Sequence, residues 1–369
     1  MTDVASLLKI VGAVHGSTDR VFASPMSYLR TYGPRADPAT ALMWGLIVLS
    51  LAVVAIITAL VIVGVVVRRR RGRVEAMAAL PAERGAGGLA WFYVGMPLTV
   101  VALVGTLVWT VAVQAAVDSP AVKPRLTVEV TGHQWWWEAR YLGANPNETF
   151  VTANEIHIPT GQPVLVKLVG ADVIHSFWIP ALTGKTDTIP GQTNIAWLQT
   201  GRPGVYHGQC AEFCGFQHAH MGLDVVAQSP AAFEAWRRDQ LQPASAPVTP
   251  TQIVGQDLFA AHCGACHAVR GADAGDGAAT DAAGPISPAS LAAARGPGVH
   301  LSAGGVVGPD LTHLMSRSSL AAGALPNTVG GLSGWIANPQ ALKPGAQMPA
   351  TYLSGSQLAS VVSYLETLR

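Results

Sequence analysis

Residues 208–221 read GQCAEFCGFQHAHM and place sulfur and imidazole ligands on one short segment. Cys210 and Cys214 are four residues apart, His218 lies four residues further on, and Met221 follows after three more. A blue-copper site uses one cysteine, two histidines and a weak axial methionine, and a second thiolate would let both sulfurs bridge two copper ions. A closed zinc site with both cysteines, His218 and a distant histidine is the alternative, although zinc would not use Met221. The segment therefore predicts a metal centre.

Segments upstream of this loop extend the pattern. Residues 132–137 read GHQWWW and residues 172–180 read DVIHSFWIP, and they are followed by KTD at 185–187 and IPG at 189–191. Together with the cysteine loop, these segments resemble subunit II of the haem-copper cytochrome oxidases. The outer domain of that family is a cupredoxin barrel that carries the dinuclear copper centre called CuA. The combined match favours copper over zinc.

The resemblance also implies which residues bind the metal. Six residues would supply copper ligands, namely His175, Cys210, Glu212 through its backbone carbonyl, Cys214, His218 and Met221. The two thiolates would bridge the coppers and the two imidazoles would be terminal ligands. In this family the Glu212 carboxylate would also reach a magnesium ion at the boundary with subunit I. We expect His207 and His220, which flank the set, to lie beside the ligands or at the surface.

Three consecutive tryptophans end the GHQWWW segment. On one strand, Trp135 and Trp137 would share a face and Trp136 would take the other. We expect Trp136 and Trp137 to pack in a core or an interface, which is the usual role of aromatic side chains. Trp135 matches the tryptophan at which electrons enter this family's subunit II, so the resemblance places it on the electron route.

A second cysteine pair stands in CGACH at residues 263–267, which is the attachment pattern of c-type haem. Two thiols one helical turn apart can add to the haem vinyl groups, and the adjacent imidazole can bind the iron from the same side. A thioredoxin-like redox pair would need a βαβ context, which the flanking sequence lacks. The pattern therefore predicts a covalent haem c on Cys263, Cys266 and His267.

The second axial ligand of the haem iron should be a thioether or another imidazole. Met348 lies in KPGAQMP at residues 343–349, a loop with proline on both sides of the methionine. The alternatives are Met315, His300 and His313. This part of the chain, with GPDL at 308–311, resembles the cytochrome c domain fused to some oxidase subunits II, and that resemblance assigns Met348. A His/Met pair would fill the iron coordination, so the haem would carry electrons rather than bind oxygen.

Two uncharged apolar runs, Ala41–Val67 and Leu89–Val117, each exceed the roughly 20 residues that a helix needs to cross a bilayer. They account for a charged content of only 12%, about half that of a typical soluble domain. The loop between them begins RRRRGR at residues 68–73, and the positive-inside rule places it in the cytoplasm. Many related subunits carry a glutamate that feeds a proton channel of subunit I. No acidic residue stands at the matching position, near Ala90.

The sequence thus predicts a multidomain fold, with a two-helix transmembrane hairpin, an all-β cupredoxin-like barrel and an all-α cytochrome c domain. The predicted boundaries are 1–40 for an external N-terminal segment, 41–67 and 89–117 for the transmembrane helices, 68–88 for the cytoplasmic loop, 118–242 for the CuA domain with a C-terminal helix, 243–250 for a Pro-rich linker and 251–369 for the cytochrome c domain. We expect residues 271–305, rich in Gly and Ala, to form a surface loop. We expect the linker to permit several positions of the haem domain.

These parts imply an electron-transfer subunit of a respiratory terminal oxidase. Electrons would pass from external cytochrome c or another donor through haem c to CuA, and on to haem a of subunit I for oxygen reduction. Subunits I and III would be its partners in a bacterial inner membrane, with the copper and haem domains on the outer side. A net charge of +1 gives no support for a nucleic-acid partner.

Two other functions remain compatible with these motifs. The electron-accepting subunit of a CuA-containing nitric oxide reductase would share the membrane hairpin and the cupredoxin domain. A copper-delivery or storage module would share the metal ligands, but it would not need a covalent haem.

Overall fold

The computed structural model of the chain describes residues 23–24, 26–70, 88–271, 305 and 307–369. The central part of the Arg-rich loop, residues 71–87, lies outside the described residues. Most of the Gly/Ala-rich stretch, residues 272–304, also lies outside them. The expectations for these two segments therefore stay predictions.

Two long helices form the N-terminal hairpin: α1 spans Asp37–Arg70 and α2 spans Gly88–Asp118. Both are long and apolar enough to cross a membrane. Their Leu, Val and Ile side chains are largely exposed rather than buried in a protein core, as hydrocarbon surroundings permit. The helices approach closely where the indole of Trp109 covers Gly45. A Cβ at this glycine would lie 2.2 Å from the ring, so a small residue is required at this contact.

Hydrogen bonds at the end of α2 and just before α1 join the hairpin to the following domain. The Trp197 indole N–H donates to the Val117 carbonyl at 3.0 Å, and Arg35 Nη1 donates to the Trp197 carbonyl at 3.4 Å. Thr200 Oγ1 donates to the Tyr32 carbonyl at 2.7 Å. These bonds link segments on both sides of the hairpin to the same domain.

The barrel domain, residues 118–242, is built of two main sheets and one strand pair. Its strands, with an N-terminal strand that joins them, are β1 Ala23–Ser24, β2 Leu126–His133, β3 Trp136–Leu142, β4 Phe150–Ala153, β5 Glu155–Pro159, β6 Val164–Gly170, β7 His175–Phe177, β8 Thr186–Thr188, β9 Asn194–Leu198, β10 Gly204–Gln209 and β11 Gly222–Gln228. One sheet has the order β4-β3-β2-β6-β9, the other has the order β1-β10-β11-β5, and β7 pairs with β8.

The core of the barrel domain lies between the two sheets. Along β6 every second residue is fully buried, because successive side chains of a strand point to opposite faces. Trp137, Tyr141 and Phe177 are among the large side chains of this core. β10 and β11 are antiparallel, with Gln209 opposite Gly222. Their register places the loop that connects them at one end of the barrel.

A helix closes the barrel domain. α3 spans Pro230–Leu241 and begins after Ser229, whose hydroxyl accepts a hydrogen bond from the Ala232 N–H. This side-chain bond satisfies one of the free amides of the first turn. Trp236 of α3 packs its ring against Tyr141 and Phe150 at the edge of the core.

The helical domain, residues 250–369, has its own apolar core. Its elements are α4 Pro250–His262, β12 Ser319–Leu320, β13 Leu325–Pro326, α5 Val329–Ala337, α6 Pro339–Leu342 and α7 Gly355–Leu365. α4 crosses α7 at Gly255, where a Cβ would lie 2.0 Å from the backbone oxygen of Ser360. The predicted multidomain fold is confirmed. The short β12–β13 ladder is an addition to the helical domain that the sequence did not predict.

The helical domain is docked on the barrel domain. The Ser318 hydroxyl donates to the Glu155 carboxylate across the junction at 2.6 Å. The Pro-rich linker is also held, because the Ala244 N–H donates to the Arg270 carbonyl at 2.8 Å. The sequence predicts that the linker permits several positions of the helical domain. In the structure, this domain is docked on the barrel domain in one position.

Candidate functional site

The predicted cysteine loop, residues 210–221, connects β10 to β11 at one end of the barrel domain. The Cys210 N–H donates to the Met221 carbonyl at 2.9 Å and closes the base of the loop. Cys210 and Cys214 are both buried, and their sulfur atoms lie 3.7 Å apart. This separation is well beyond the roughly 2.05 Å of a disulfide bond. It is short enough for one metal ion to contact both sulfurs, at about 2.3 Å each.

β7 brings His175 to the first of these sulfurs. Its Nδ1 lies 3.9 Å from Cys210 Sγ, and its Nε2 lies 2.8 Å from Asp172 Oδ1. The carboxylate therefore orients the ring so that Nδ1 faces the sulfur, as acidic side chains commonly do for metal-binding histidines. Gly132 makes room for the ring, because a Cβ there would lie 2.7 Å from its Cδ2 atom. Nothing in the local sequence marks this role of Asp172.

The other predicted donors lie beside the two sulfurs. His218 Nδ1 lies 3.7 Å from Cys214 Sγ, and Met221 Sδ lies 3.8 Å from the same atom. The Glu212 backbone oxygen lies 3.3 Å from Cys210 Sγ. Each thiol thus has one imidazole nitrogen and one further donor next to it.

This arrangement fits two soft metal ions better than a single zinc ion. The ligand atoms of His175, Cys210 and Cys214 all lie within 4.8 Å of one another, and His218 does not belong to that group. A tetrahedral zinc ion would need all four donors around one point. Met221 is fully buried beside Cys214 and adds a thioether, a soft ligand that suits copper. The donor set therefore fits a dinuclear copper centre.

The two thiols of the loop titrate together. The hydrogen bond from Cys214 lowers the pKa of Cys210 well below that of a free thiol. The same hydrogen bond, with burial, raises the pKa of Cys214. The pair therefore releases one proton readily and holds the other. Because thiolates are the metal-binding form, binding of cations would release the second proton.

His207 and His220 lie next to the donor set, and each has a side-chain partner of its own. His207 Nδ1 lies 2.5 Å from Asp224 Oδ1, and His220 Nδ1 lies 2.7 Å from Gln217 Oε1. The side chain of Glu212 is exposed on the outside of the loop. Its position leaves the carboxylate accessible to another subunit, and the magnesium ion stays a prediction.

The second cysteine pair lies at the end of α4, where a crevice of about 210 Å³ opens. Cys263, Cys266 and His267 line this crevice. His267 Nδ1 lies 2.8 Å from the Pro309 carbonyl, so this nitrogen carries the proton and Nε2 is left for an iron ion. A Cβ at Gly308 would lie 2.5 Å from the imidazole ring. Burial lowers the pKa of His267 and favours the neutral form that binds metals.

Met348 lines the same crevice. Met315 packs against the core of the helical domain instead. The two ring nitrogens of His313 lie 2.6 and 3.0 Å from backbone oxygens, so both are engaged. His300 lies outside the described residues. Among the described candidates for the second axial ligand, Met348 is therefore the best placed.

A buried arginine that the sequence analysis missed also lines the crevice. Arg317 Nη2 donates to the Asp310 carbonyl, and its Nε has no hydrogen-bond partner among the described residues. A buried guanidinium with a free donor is suited to pairing with a carboxylate such as a haem propionate. Nothing in the local sequence marks this residue, because only the folded segment buries it.

Trp135 connects the crevice to the cysteine loop. Its indole N–H donates to the Cys214 carbonyl at 3.1 Å, and its ring lines the crevice. The prediction that the three tryptophans alternate along one strand is wrong. β2 ends at His133 and β3 begins at Trp136, so Trp135 belongs to the turn between them. This turn, rather than a strand face, presents Trp135 to both sites.

Of the other two tryptophans, Trp137 has the packing role expected of it, while Trp136 also lines the haem crevice. Trp137 is fully buried in the barrel core, with its ring 5.9 Å from that of Phe177. Trp136 stacks on His133 with the ring centroids 4.3 Å apart.

Comparison with known protein families gives two matches along the chain. Residues 144–229 match the periplasmic domain of cytochrome c oxidase subunit II. Residues 254–369 match the cytochrome c family. The first match contains the cysteine loop, and the second contains both the haem attachment segment and Met348.

Individual relatives agree with these matches. Cytochrome c oxidase subunit 2 of Alkalihalophilus pseudofirmus is 32% identical over 284 residues, 76% of this chain and 72% of that protein. Cytochrome c oxidase subunit 2 of Bacillus sp. (strain PS3) is 30% identical over 294 residues, 76% of this chain and 74% of that protein. This chain is also similar to a crystal structure of the periplasmic domain of subunit II of cytochrome oxidase from Bradyrhizobium japonicum, at 32% sequence identity and a TM-score of 0.31. The match covers 33% of this chain and 96% of that one. The chain therefore belongs to the cytochrome c oxidase subunit II family, carries a cytochrome c domain at its C-terminal end, and has the two domains that imply copper and haem c.

Proposed function

We propose that this chain is the electron-transfer subunit of a respiratory terminal oxidase. It accepts electrons from an external cytochrome c or another donor at haem c, passes them through CuA and delivers them to haem a of subunit I. Oxygen is reduced to water in subunit I, so the catalytic residues of that reaction are not in this chain. Two things support this function: the chain belongs to the oxidase subunit II family, and its two predicted cofactor sites lie next to each other.

The position of Trp135 is the observation that carries the proposal. Its ring lines the haem crevice while its N–H donates to the backbone of Cys214. One side chain therefore lies between the two sites and contacts both. Because electron tunnelling weakens steeply with distance, this contact favours direct transfer from the crevice to the cysteine loop.

The barrel domain holds the copper centre. Cys210 and Cys214 would hold the two copper ions through their thiolates, and His175 and His218 would hold them through their imidazoles. The set is completed by two further donors, the Met221 thioether and the Glu212 backbone carbonyl. Copper bound in this way supplies a one-electron carrier shared between two metal ions.

The helical domain holds the haem. Cys263 and Cys266 would attach it covalently, and His267 and Met348 would bind its iron. Arg317 pairs with a propionate inside the crevice. Haem c with two protein ligands supplies a second one-electron carrier and leaves no iron position open for oxygen.

The remaining parts place the chain in the oxidase. α1 and α2 anchor it in the bacterial inner membrane beside subunits I and III, and the barrel and helical domains lie on the outer side. The arginines that end α1, Arg68–Arg70, support this orientation. The exposed Glu212 carboxylate faces subunit I and shares a magnesium ion with it.

The test measures electron transfer in the purified, assembled oxidase. After rapid photoreduction of haem c, we expect its re-oxidation to coincide with reduction of CuA and to precede oxygen consumption. Trp135→Phe should slow this transfer severalfold while both absorption spectra stay intact. Trp236→Phe, a change in a tryptophan that packs on Tyr141 and Phe150, is the matched control and should leave the rate unchanged.

Three outcomes would contradict the proposal. Absence of a mixed-valence dinuclear copper signal in the electron paramagnetic resonance spectrum would rule out CuA. Reduced haem c that never passes its electron to copper would rule out the route. Consumption of nitric oxide without consumption of oxygen would identify the reductase alternative instead.

A further inference from the structure

Lys343 is a buried cation at the junction of the helical and barrel domains. It is only 4% exposed. Its Nζ atom donates to three backbone carbonyls: that of Trp135 at 3.0 Å, that of His220 at 2.8 Å and that of Ala321 at 2.9 Å. An ammonium group has three donors and no acceptor, so all of its hydrogen bonds are made here.

The three carbonyls belong to different parts of the molecule. Trp135 and His220 lie in the barrel domain, and Ala321 follows β12 in the helical domain. Lys343 itself begins the KPGAQMP loop that contains Met348. One side chain therefore connects the loop of the expected axial ligand to both the tryptophan turn and the cysteine loop.

Neighbouring contacts extend the same junction. The Gly222 N–H, at the start of β11, donates to the Ala322 carbonyl at 3.0 Å. Gln217 Nε2 donates to the Pro344 carbonyl, next to Lys343 in the chain. Each of these bonds joins the cysteine-loop end of the barrel domain to the helical domain. Ala322 follows Ala321, which Lys343 contacts, and Pro344 follows Lys343 itself.

The energetics of Lys343 favour a role in orientation rather than in affinity. Removing an ammonium from water costs several kcal/mol, and burial lowers the pKa of Lys343 to about 8, although Cys214 raises it. None of the ion pairs among the described residues includes Lys343. An apolar side chain would bury the same surface at lower cost. The ammonium instead fixes how the two domains are oriented, because its three hydrogen bonds can be made together in only one relative placement of the domains.

We propose that Lys343 is a positioning residue for electron transfer, which holds the helical domain so that the haem crevice faces Trp135. This inference rests on the proposed function, because it concerns the route from haem c to CuA. It adds a residue at the edge of the haem crevice whose three hydrogen bonds hold the two domains in one relative placement.

The test replaces Lys343 in the assembled oxidase. Lys343→Met keeps the length of the side chain and removes the donors. After photoreduction of haem c, we expect transfer to CuA to slow about tenfold to a hundredfold, as a small misplacement of reacting groups can produce. We also expect the rate to depend on solvent viscosity, because the domains must now search for the productive placement. In the unmodified oxidase the rate should be independent of viscosity.

Two further variants sharpen this experiment. Lys123→Met removes the charge of an exposed lysine outside the junction and should change neither the rate nor its viscosity dependence. Lys343→Gln introduces a neutral amide whose NH2 group can donate to two carbonyls, and its rate should fall between those of the unmodified oxidase and Lys343→Met.

The outcomes separate this proposal from the function on which it rests. Intact haem and copper spectra in Lys343→Met, with an unchanged and viscosity-independent rate, would overturn the positioning role and leave the electron route standing. Loss of the native haem spectrum in both Lys343→Met and Lys343→Gln would show that Lys343 supports the Met348 loop itself, which also overturns it. An unmodified oxidase that passes no electron from haem c to copper would overturn both proposals.

Discussion

At the scale of single residues, two candidate ligands, His175 and His267, are each oriented by a neighbour that contacts the other ring nitrogen. Asp172 holds Nε2 of His175, and the Pro309 carbonyl holds Nδ1 of His267. The spacing of the cysteines predicted the two thiol pairs, and the family resemblance assigned His175 and Met348. The orienting partners were not predictable, because an aspartate three residues before a histidine and a carbonyl 42 residues along the chain carry no distinctive pattern. They become visible only when the backbone brings them together.

The carboxylate of Asp172 is expected to tune the copper affinity of the cysteine loop. In Asp172→Asn the ring of His175 loses its charged partner, and we expect copper affinity to fall about 10- to 100-fold. Competition with a calibrated chelator measures this in the purified oxidase. Asp239→Asn, an exposed aspartate of α3, is the control and should bind copper normally. Equal affinities in the two variants would show that Asp172 does not orient the ligand.

Met348 is expected to set the spin state of the haem iron. Met348→Ala removes the thioether from the crevice, so the absorption spectrum should change to that of a high-spin or ligand-exchanged haem. Met315→Leu keeps the apolar volume of a residue that packs on the core and should keep the native spectrum. An unaltered spectrum in Met348→Ala would move the assignment to Met315 or a histidine.

At the scale of elements, close crossings and turns decide where the sites lie. The α4–α7 crossing carries the haem attachment segment at the end of α4, and the β10–β11 hairpin carries the cysteine loop. The expectation that the three tryptophans lie on one strand fails at the turn between β2 and β3, because aromatic residues are favoured in strands but do not fix where a hairpin turns. The hairpin register overrides that preference, since His133 pairs with Trp136 and leaves Gln134 and Trp135 to make the turn.

The α4–α7 crossing is expected to tolerate no side chain at Gly255. In Gly255→Ala the new methyl group would meet the Ser360 carbonyl at 2.0 Å, so the helices must separate, at a cost of about 1–3 kcal/mol. Loss of native haem c absorption in urea, followed in the assembled oxidase, measures the effect as a lower midpoint.

A second glycine of the same domain provides the matched control. A Cβ at Gly330 of α5 would meet nothing within 4 Å. Gly330→Ala should therefore be neutral or stabilise the helix by up to about 1 kcal/mol. Equal urea midpoints for Gly255→Ala and Gly330→Ala would contradict the account of the crossing.

At the scale of the whole molecule, the docked domains are held by hydrogen bonds to backbone and side-chain groups. The ion pairs found among the described residues all lie within the barrel domain. The Ser318–Glu155 contact is likewise a hydrogen bond from a neutral hydroxyl. Salt screens exposed charge pairs much more strongly than it affects such bonds.

Internal electron transfer is therefore expected to be insensitive to salt. Raising the ionic strength from about 0.05 to about 0.5 M should leave the haem c to CuA rate within about twofold, because few exposed charges hold the domains together. Reduction of haem c by an external charged donor, measured in the same sample, is the comparison and should respond more strongly. A steep fall of the internal rate with salt would show that surface charges dock the helical domain.

The sequence by itself determined the chemistry of this protein and its division into parts. Ligand types at short spacing, such as Cys210 with Cys214 and Cys263 with His267, are local patterns, and apolar runs long enough for a bilayer are local as well. Only the tertiary structure decided what lies between the two sites. Arg317 and Lys343 acquire their roles from contacts between segments that are far apart in the chain, and the fold presents Trp135, which the resemblance had already singled out, to both sites. Such contacts depend on how two domains with separate apolar cores dock. No local sequence pattern predicts that relative placement.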